Sequence, residues 1–227
     1  MSARARRLRL SVTARDGLVV TLPRGVPHAA ARDAVVTHAR WAQRGLDRVA
    51  DRRALYTAGP DALLPDTVEL LAVGVTLPVE YRHTGATSCS ARERGGLIVV
   101  SGPVDDAQAC LRALGRWRDR AARERLPGML ACIASELGVS VSCVSVRAQR
   151  SRWGSYSGRG TISLNRNLVF LPAEFATWVM AHELVHMSQP GHSPAFWREM
   201  RRVRPDTDEI RRAMRHAAEI VPPWAEL

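Results

Sequence analysis

The stretch from Trp178 to Met187, WVMAHELVHM, constrains the fold most strongly, because it is apolar on nearly every side and yet carries two histidines and a glutamate. A helix that is apolar all round is normally buried in a protein core. Buried polar groups without partners cost about 1 to 3 kcal/mol each. The chain is therefore predicted to bury this helix together with a partner for its polar groups, such as a metal ion.

The spacing of these polar residues is typical of a metal site. His182 and His186 are four residues apart, so they share one helix face and can bind the same ion at about 2.0 to 2.1 Å from each ring nitrogen. Glu183 is rotated by about 100° from His182, which leaves it off the ligand face but close to water at the metal. The pattern predicts a zinc site with Glu183 as general base.

A catalytic zinc site needs a third protein ligand and one open position. The pair Pro190-Gly191 ends the helix predicted over residues 171–188 and lets the chain turn back toward it. We therefore expect His192, the next residue, to complete a site that holds one Zn²⁺ per chain. Glu199 is the weaker alternative for the third ligand.

The N-terminal region, residues 1–104, combines strand and helix patterns. Alternating side chains around Asp16-Gly17 predict a β-hairpin. Residues 28–55 repeat apolar side chains at helical spacing, which predicts one amphipathic helix with Gly45 as a weak point. Valine-rich segments within residues 66–101, broken by Gly and Pro, predict further short strands.

The C-terminal region, residues 105–227, begins with a long helical pattern, in which Pro127-Gly128 predicts a kink or break. Alternation over residues 143–149 and 161–165 predicts paired strands, followed directly by the histidine helix. The expected fold class is α+β: a small sheet packed on the histidine helix, preceded by an N-terminal α+β region. The domain boundary is predicted between these two regions.

Composition excludes other classes of protein. No apolar run approaches the roughly 18 residues that a membrane span requires. The start, MSARARRLRL, is not followed by the apolar stretch of a signal peptide, so the expected location is the cytoplasm. The four cysteines form no C-x-x-C pair, which predicts buried free thiols.

The net charge of +11 raises a nucleic-acid hypothesis, although all 33 basic residues are arginines. Codon bias in a GC-rich genome explains missing lysine, and a solvated basic surface is the simpler interpretation. The alternative function is a nucleic-acid or nucleoprotein binding module with structural zinc, which would bind weakly and without sequence preference. Its candidate residues lie in a segment without acids: Arg147, Arg150, Arg152, Arg159 and Arg166.

Residues 150–197 resemble the YgjP-like metallopeptidases, which are relatives of the SprT-like and Wss-type zincins. The resemblance extends more loosely toward the start of the chain. It implies a zincin-type core, zinc bound by the three histidines, Glu183 as general base and protein substrates. Two residues depart from the family pattern, Tyr156 in place of Cys and Gly191 in place of Asn. The matching residues are Arg152-Trp153-Gly154-Ser155, Ile162, Leu164-Asn165, His182-Glu183-Leu184, His186, His192-Ser193 and Phe196-Trp197.

The leading hypothesis is therefore a zinc endopeptidase. The strand over residues 161–165 is expected to hold an extended substrate by edge pairing. Arg152 and Tyr156 either donate hydrogen bonds to the developing oxyanion or pack as structural side chains of the hairpin. The two functions could coexist, since related SprT-like proteins act on proteins crosslinked to DNA.

Overall fold

The chain divides into two units, residues 1–63 and residues 64–227. The predicted boundary between residues 104 and 105 falls inside the second unit, and a separate domain beginning there stays a prediction. The second unit contains all of the predicted site residues. The computed structural model describes residues 7–13, 17–57, 64–149 and 151–226.

The first unit begins with the predicted hairpin. Strands β1 (Arg9–Thr13) and β2 (Gly17–Thr21) pair antiparallel, with Thr13 opposite Gly17. Gly17 has a φ of 67°, in the left-handed region that glycine adopts without a steric penalty. Asp16, the other half of the predicted turn, lies outside the described residues.

Two helices follow, so the prediction of one continuous helix is wrong. Helix α1 (His28–Thr37) ends at His38, whose φ of −108° and ψ of 21° depart from helical geometry, and α2 (Ala39–Thr57) then begins. Gly45 lies inside α2, and a Cβ atom added there would be 2.9 Å from a methyl group of Val12. Gly45 therefore allows close packing of α2 on the hairpin.

The second unit contains a four-stranded sheet of the kind that the valine-rich segments predict. Its order is β3-β4-β6-β5, with β4 and β6 parallel and the outer pairs antiparallel. One face is apolar and buried, with Leu70, Ile98 and Val100 fully shielded. The strands are β3 (Thr67–Leu70), β4 (Val75–His83), β5 (Ser90–Arg94) and β6 (Leu97–Gly102).

A single long helix, α3 (Ala107–Glu136), packs against this sheet. The side chain of Asp106 caps its first turn by accepting a hydrogen bond from a backbone amide. Of the predicted kink or break at Pro127-Gly128, the break is wrong, because α3 continues through Pro127, whereas a kink there stays a prediction. Leu126 and Leu130, on either side of that proline, are both fully buried, so core packing offsets the lost backbone hydrogen bond.

The predicted small sheet packs on the histidine helix. Strand β7 (Cys143–Arg147) pairs parallel with β9 (Thr161–Asn165), and β8 (Gly154–Ser157) pairs with the other side of β9. Helix α4 (Ala173–Val185) contacts β8 and β9. Because β9 is the central strand, the prediction that it pairs with substrate is wrong, and β7 and β8 are the edge strands. Two further helices follow, α5 (Pro194–Val203) and α6 (Thr207–Ala213).

Residues 223–226 form a short 3-10 helix that packs into the same core. The guanidinium of Arg118, whose side chain is 2% exposed, donates a hydrogen bond to the carbonyl oxygen of Ala225. Trp224 meets the edge of Phe170, with ring centroids 5.6 Å apart. These contacts fix the segment to α3.

Two composition predictions are tested by the structure. Within the described residues, no helix is long and apolar enough to cross a membrane. All four cysteines are free thiols, but only Cys89 and Cys110 are buried. Cys132 and Cys143 are exposed, so the prediction of buried thiols is right for half of them.

Candidate metal centre

The three predicted histidine ligands converge on one point. The Nε2 atom of His186 lies 3.2 Å from Nε2 of His182 and 3.2 Å from Nε2 of His192. The Nε2 atoms of His182 and His192 are 2.9 Å apart. Nitrogens bound to a tetrahedral zinc ion at about 2.0 to 2.1 Å lie about 3.3 to 3.4 Å from one another. The three imidazoles therefore fit a zinc ion closely.

The chain brings His192 back to α4 through a turn and a capped helix. Gly191 has a φ of 78°, which belongs to the left-handed region. Ser193 then caps α5, because its hydroxyl oxygen accepts a hydrogen bond from the backbone N–H of Phe196 at 3.3 Å. His192 is thus held between a tight turn and a rigid helix start.

The left-handed backbone also explains one departure from the family pattern. Asparagine is one of the few residues other than glycine that adopt this conformation routinely. An asparagine or a glycine is therefore compatible with the turn that precedes His192 in this chain.

Phe196 packs against all three histidine rings, a role that the sequence did not reveal. Its ring centroid lies 4.8 Å from that of His182, 4.5 Å from that of His186 and 4.9 Å from that of His192. The side chain is fully buried. Its position on α5, four residues after His192, was the signal available in the sequence. Through this side chain α5 packs against the three histidine rings.

The electrostatic environment favours the neutral form of two of the imidazoles, those of His182 and His192. Burial, followed by the charges of His186, His192 and Arg211, lowers the pKa of His182 to about 3. Burial, His186 and Arg211 also lower the pKa of His192. The Nδ1 atom of His186 lies 3.2 Å from the carbonyl oxygen of Gln189, so an N–H there leaves the Nε2 lone pair facing the other rings. Neutral imidazoles are the form that binds metal.

Glu183 lies beside this cluster and is 6% exposed. Burial raises the pKa of its carboxyl to about 7, against the opposing effects of the Tyr156 backbone amide and the charge of Arg152. A Cβ atom added at Gly154 would lie 2.8 Å from both Cγ and Oε1 of Glu183. The carboxyl therefore occupies space that only a glycine on β8 leaves open.

The free edge of β8 faces this site. The carbonyl oxygen of Trp153 accepts a hydrogen bond at 2.8 Å from the backbone N–H of Asn165, on β9. Backbone polar groups alternate in direction along an antiparallel strand. Those of Gly154 and Tyr156 therefore point away from β9, toward Glu183 and the open edge.

Asn165 fixes the segment that leads into β8. Its amide nitrogen donates to the carbonyl oxygens of Gln149 at 2.9 Å and Arg152 at 2.8 Å. Its side-chain oxygen accepts from the backbone N–H of Asn167 at 3.0 Å, and the residue is 6% exposed. A buried amide with these partners holds the loop of Arg152 in place.

These groups surround a cavity of about 430 Å³ between β8 and α4. Both predicted contact residues, Arg152 and Tyr156, line it. Of the lining residues that the structure describes, Glu183 alone carries a carboxylate. The lining residues are Arg152, Trp153, Gly154, Ser155, Tyr156, Trp178, Val179, His182, Glu183, His186, His192 and Met214.

The alternative third ligand, Glu199, has another partner. Its carboxylate accepts hydrogen bonds from the guanidinium of Arg202, the shortest at 2.7 Å, and this interaction lowers the pKa of Glu199. A carboxylate that binds a metal would have to give up this ion pair. His192, which already lies beside His182 and His186, requires no such exchange.

The arginines of the nucleic-acid hypothesis have different surroundings. Arg152 lines the cavity, and Arg166 binds a carboxylate of α3 at 2.7 Å. Arg147 and Arg159 are exposed. Arg150 lies outside the described residues. Arg152 is exposed as well, so three of the five side chains remain as exposed candidates for phosphate contacts.

A small sheet packed on an H-E-x-x-H helix, with three converging histidines, is the arrangement of a zincin-like metallopeptidase. The sequence model of the YgjP-like metallopeptidase domain matches residues 6–217. The chain therefore belongs to the YgjP-like metallopeptidase family, as the resemblance over residues 150–197 implies.

Two crystal structures of metallopeptidase zymogens are similar to part of the chain. Abylysin of Pyrococcus abyssi is 27% identical over 39% of this chain and 90% of its own, with a TM-score of 0.36. Jannalysin of Methanocaldococcus jannaschii is 22% identical over 39% of this chain and 86% of its own, with a TM-score of 0.34. No curated protein matches the chain significantly.

Proposed function

We propose that the protein is a zinc-dependent peptidase that cleaves protein substrates, with zinc bound by His182, His186 and His192. The observation that supports this most directly is the convergence of three Nε2 atoms, 2.9 to 3.2 Å apart, beside the buried Glu183. Three protein ligands leave the fourth tetrahedral position open, whereas structural zinc sites usually have four. This favours a peptidase over a binding module with structural zinc.

Glu183 is the proposed general base. When bound, zinc supplies a Lewis acid that polarises the scissile carbonyl and acidifies water at the open position. A carboxyl oxygen of Glu183 accepts the proton of the attacking water and then delivers it to the leaving amine nitrogen. A pKa of about 7, raised by burial, suits a group that must both accept and release a proton.

Strand β8 is the proposed binding edge for substrate. Its outward backbone groups, apart from the Tyr156 N–H that hydrogen-bonds Glu183, can pair with an extended peptide, which gives affinity with few side-chain requirements. Arg152 and Tyr156, both lining the cavity, are the proposed donors to the developing oxyanion. The cytoplasmic location of this activity stays a prediction.

The test compares the wild-type protein with Glu183→Gln on casein, a flexible protein substrate. The amide cannot accept the water proton, so the variant should keep its zinc and its fold but lose cleavage. Elemental analysis and circular dichroism provide the controls. Equal cleavage by both proteins would contradict the mechanism, and an inactive zinc-loaded wild type would favour the binding module.

A further inference from the structure

Arg211, on α6, is stacked beside the candidate metal centre. Its guanidinium carbon lies 4.0 Å from the ring centroid of Trp197, a cation–π contact. Trp197 in turn stacks on His192, with ring centroids 5.7 Å apart and planes inclined by 22°. The three side chains form a continuous stack that ties a positive charge to the third proposed ligand.

The position of α6 directs this charge toward the cavity. Met214, three residues after Arg211, lines the cavity. Residues three apart on a helical segment share a face. Arg211 therefore lies on the same side of this segment as Met214, toward the cavity that holds Glu183 and the histidines.

Within the described part of the chain Arg211 makes no direct ion pair with a carboxylate, although its charge contributes to lowering the pKa of Asp208. The nearby acid of the same helix, Asp208, already accepts hydrogen bonds from Arg201, the shorter at 2.8 Å. The cation–π contact with Trp197 engages the guanidinium through its charge and does not use its N–H groups as hydrogen-bond donors. These groups have the fork geometry that binds a carboxylate through two parallel hydrogen bonds.

The opposite rim of the cavity is also positively charged. Arg152 lines it from the β8 side, and Arg211, over the ring of Trp197, lies on the α6 side. Glu183, the one acid among the described lining residues, is buried and belongs to the proposed chemistry. A substrate that brings a negative charge meets two cations, whereas one that brings a positive charge meets repulsion.

We propose that Arg211 determines specificity by binding an aspartate or glutamate side chain of the substrate close to the scissile bond. This rests on the proposed peptidase function, since it names the substrate class of the same site. An extended peptide advances about 3.3 Å per residue, so an acidic side chain one or two residues from the scissile bond can reach Arg211. Arg211 thus selects acidic peptides over neutral and basic ones.

The kinetic test uses matched peptides. A synthetic peptide library, read by mass spectrometry, identifies the cleaved sequence, which is then made with aspartate or asparagine at the preferred acidic position. The wild type should favour aspartate about tenfold in kcat/KM, as expected for a charge-assisted hydrogen-bond pair. Arg211→Gln should reduce the preference to nearly one, mainly through KM, with zinc content unchanged.

The matched control is Arg212→Gln, which removes the same charge from the neighbouring exposed position of α6. Its Nε atom donates to the backbone carbonyl of Asp208, away from Trp197. This variant should keep the wild-type preference. A wild type without the preference, or an Arg211→Gln protein that retains it, would overturn the assignment.

A binding measurement separates this inference from the proposed activity. Zinc-loaded Glu183→Gln is titrated calorimetrically with blocked alanine-rich peptides that carry one aspartate or one asparagine. The aspartate peptide should bind more tightly, and adding Arg211→Gln should abolish the difference. If the wild type cleaves nothing but this difference persists, the peptidase proposal fails, and Arg211 stands as a binding site for acidic side chains but not as a determinant of cleavage. If there is no difference, the role of Arg211 is wrong.

Discussion

Replacing Gly154 with alanine should disturb the proposed general base without touching a ligand. The added Cβ would lie 2.8 Å from Cγ and Oε1 of Glu183 and 3.1 Å from its Cδ. Real Cβ atoms do not approach other heavy atoms so closely, so the carboxyl must move. The backbone cannot easily retreat, because the neighbouring Trp153 carbonyl is bonded to β9. The displaced carboxyl then loses its alignment with the reacting water.

This contact should affect both the stability of the protein and its kcat. Forcing one extra carbon into a packed site costs about 1 to 3 kcal/mol of folding free energy. A displacement of about 1 Å at a catalytic group can reduce kcat about 100-fold. Gly154→Ala should therefore lower kcat by about two orders of magnitude, leave KM nearly unchanged and keep the zinc content of the wild type.

Gly158→Ala is the matched control. Position 158 has no atom within 4 Å of an added Cβ. An alanine there should be neutral or stabilise the protein by about 0.4 to 1 kcal/mol through the unfolded state. Denaturation and steady-state cleavage of both variants give the comparison. Wild-type kcat in Gly154→Ala would refute the claim that this glycine sets the position of Glu183.

A double-mutant cycle isolates the contact itself. Glu183→Ala removes the atoms that an alanine at position 154 would meet, so the stability cost of Gly154→Ala should largely vanish in that background. The readout is the free energy of unfolding of four proteins, independent of activity. An unchanged cost would mean that the strain lies elsewhere on β8.

Three further outcomes are expected. Elemental analysis should find about one zinc per wild-type chain and a large loss in His192→Ala; full occupancy of the variant would redirect attention to Glu199. In the metal-free protein, burial raises the pKa of Glu183 from 4.5 to about 7, so its contribution to stability is complete below pH 4.5 and is lost as the pH rises through 7. The free energy of unfolding of metal-free Glu183→Gln, measured by denaturation, should not show this loss between pH 4.5 and 7. If wild type and variant changed in parallel with pH, the raised pKa of Glu183 would be wrong. If the exposed Arg147 and Arg159 contact phosphates, the weak affinity for DNA should fall steeply as the salt concentration rises. Neutralising both side chains should lower the slope of log affinity against log salt concentration by about two. Identical binding by the double variant would leave codon bias as the explanation of the positive charge.

The parts of the site that depend on local spacing could be predicted from the sequence. His182 and His186 share a face because helical geometry alone places residues four apart together. The turn at Gly191 and the cap at Ser193 are also local, so His192 could be predicted to return to the helix. The packing of the small sheet on α4 could also be predicted, from two segments with strand alternation followed by one apolar helix.

The remaining parts depend on contacts between distant segments. Strand β8, GSYS, lacks the apolar alternation of a strand and forms because β9 offers a pairing edge. That same pairing makes β9 central, which its own sequence does not reveal. Helix α3 continues through Pro127 because its flanking leucines are buried, and tertiary packing outweighs the local signal. Arg211 lies far along the chain from the motif that it borders.

The contact between the buried Arg118 and residues 223–226 bears on how well this protein resists digestion by other copies of itself. Losing the carbonyl of Ala225 would leave one N–H group of this buried guanidinium without its acceptor, at a cost of about 1 to 3 kcal/mol, while the hydrogen bonds to Asp119 remain. Peptidases act on extended segments, and residues 223–226 become extended only when they detach from α3. Intact molecules should therefore resist trimming there by other copies, whereas partly unfolded ones expose the segment and are cut. Self-digestion at this position would then remove damaged copies and spare folded ones.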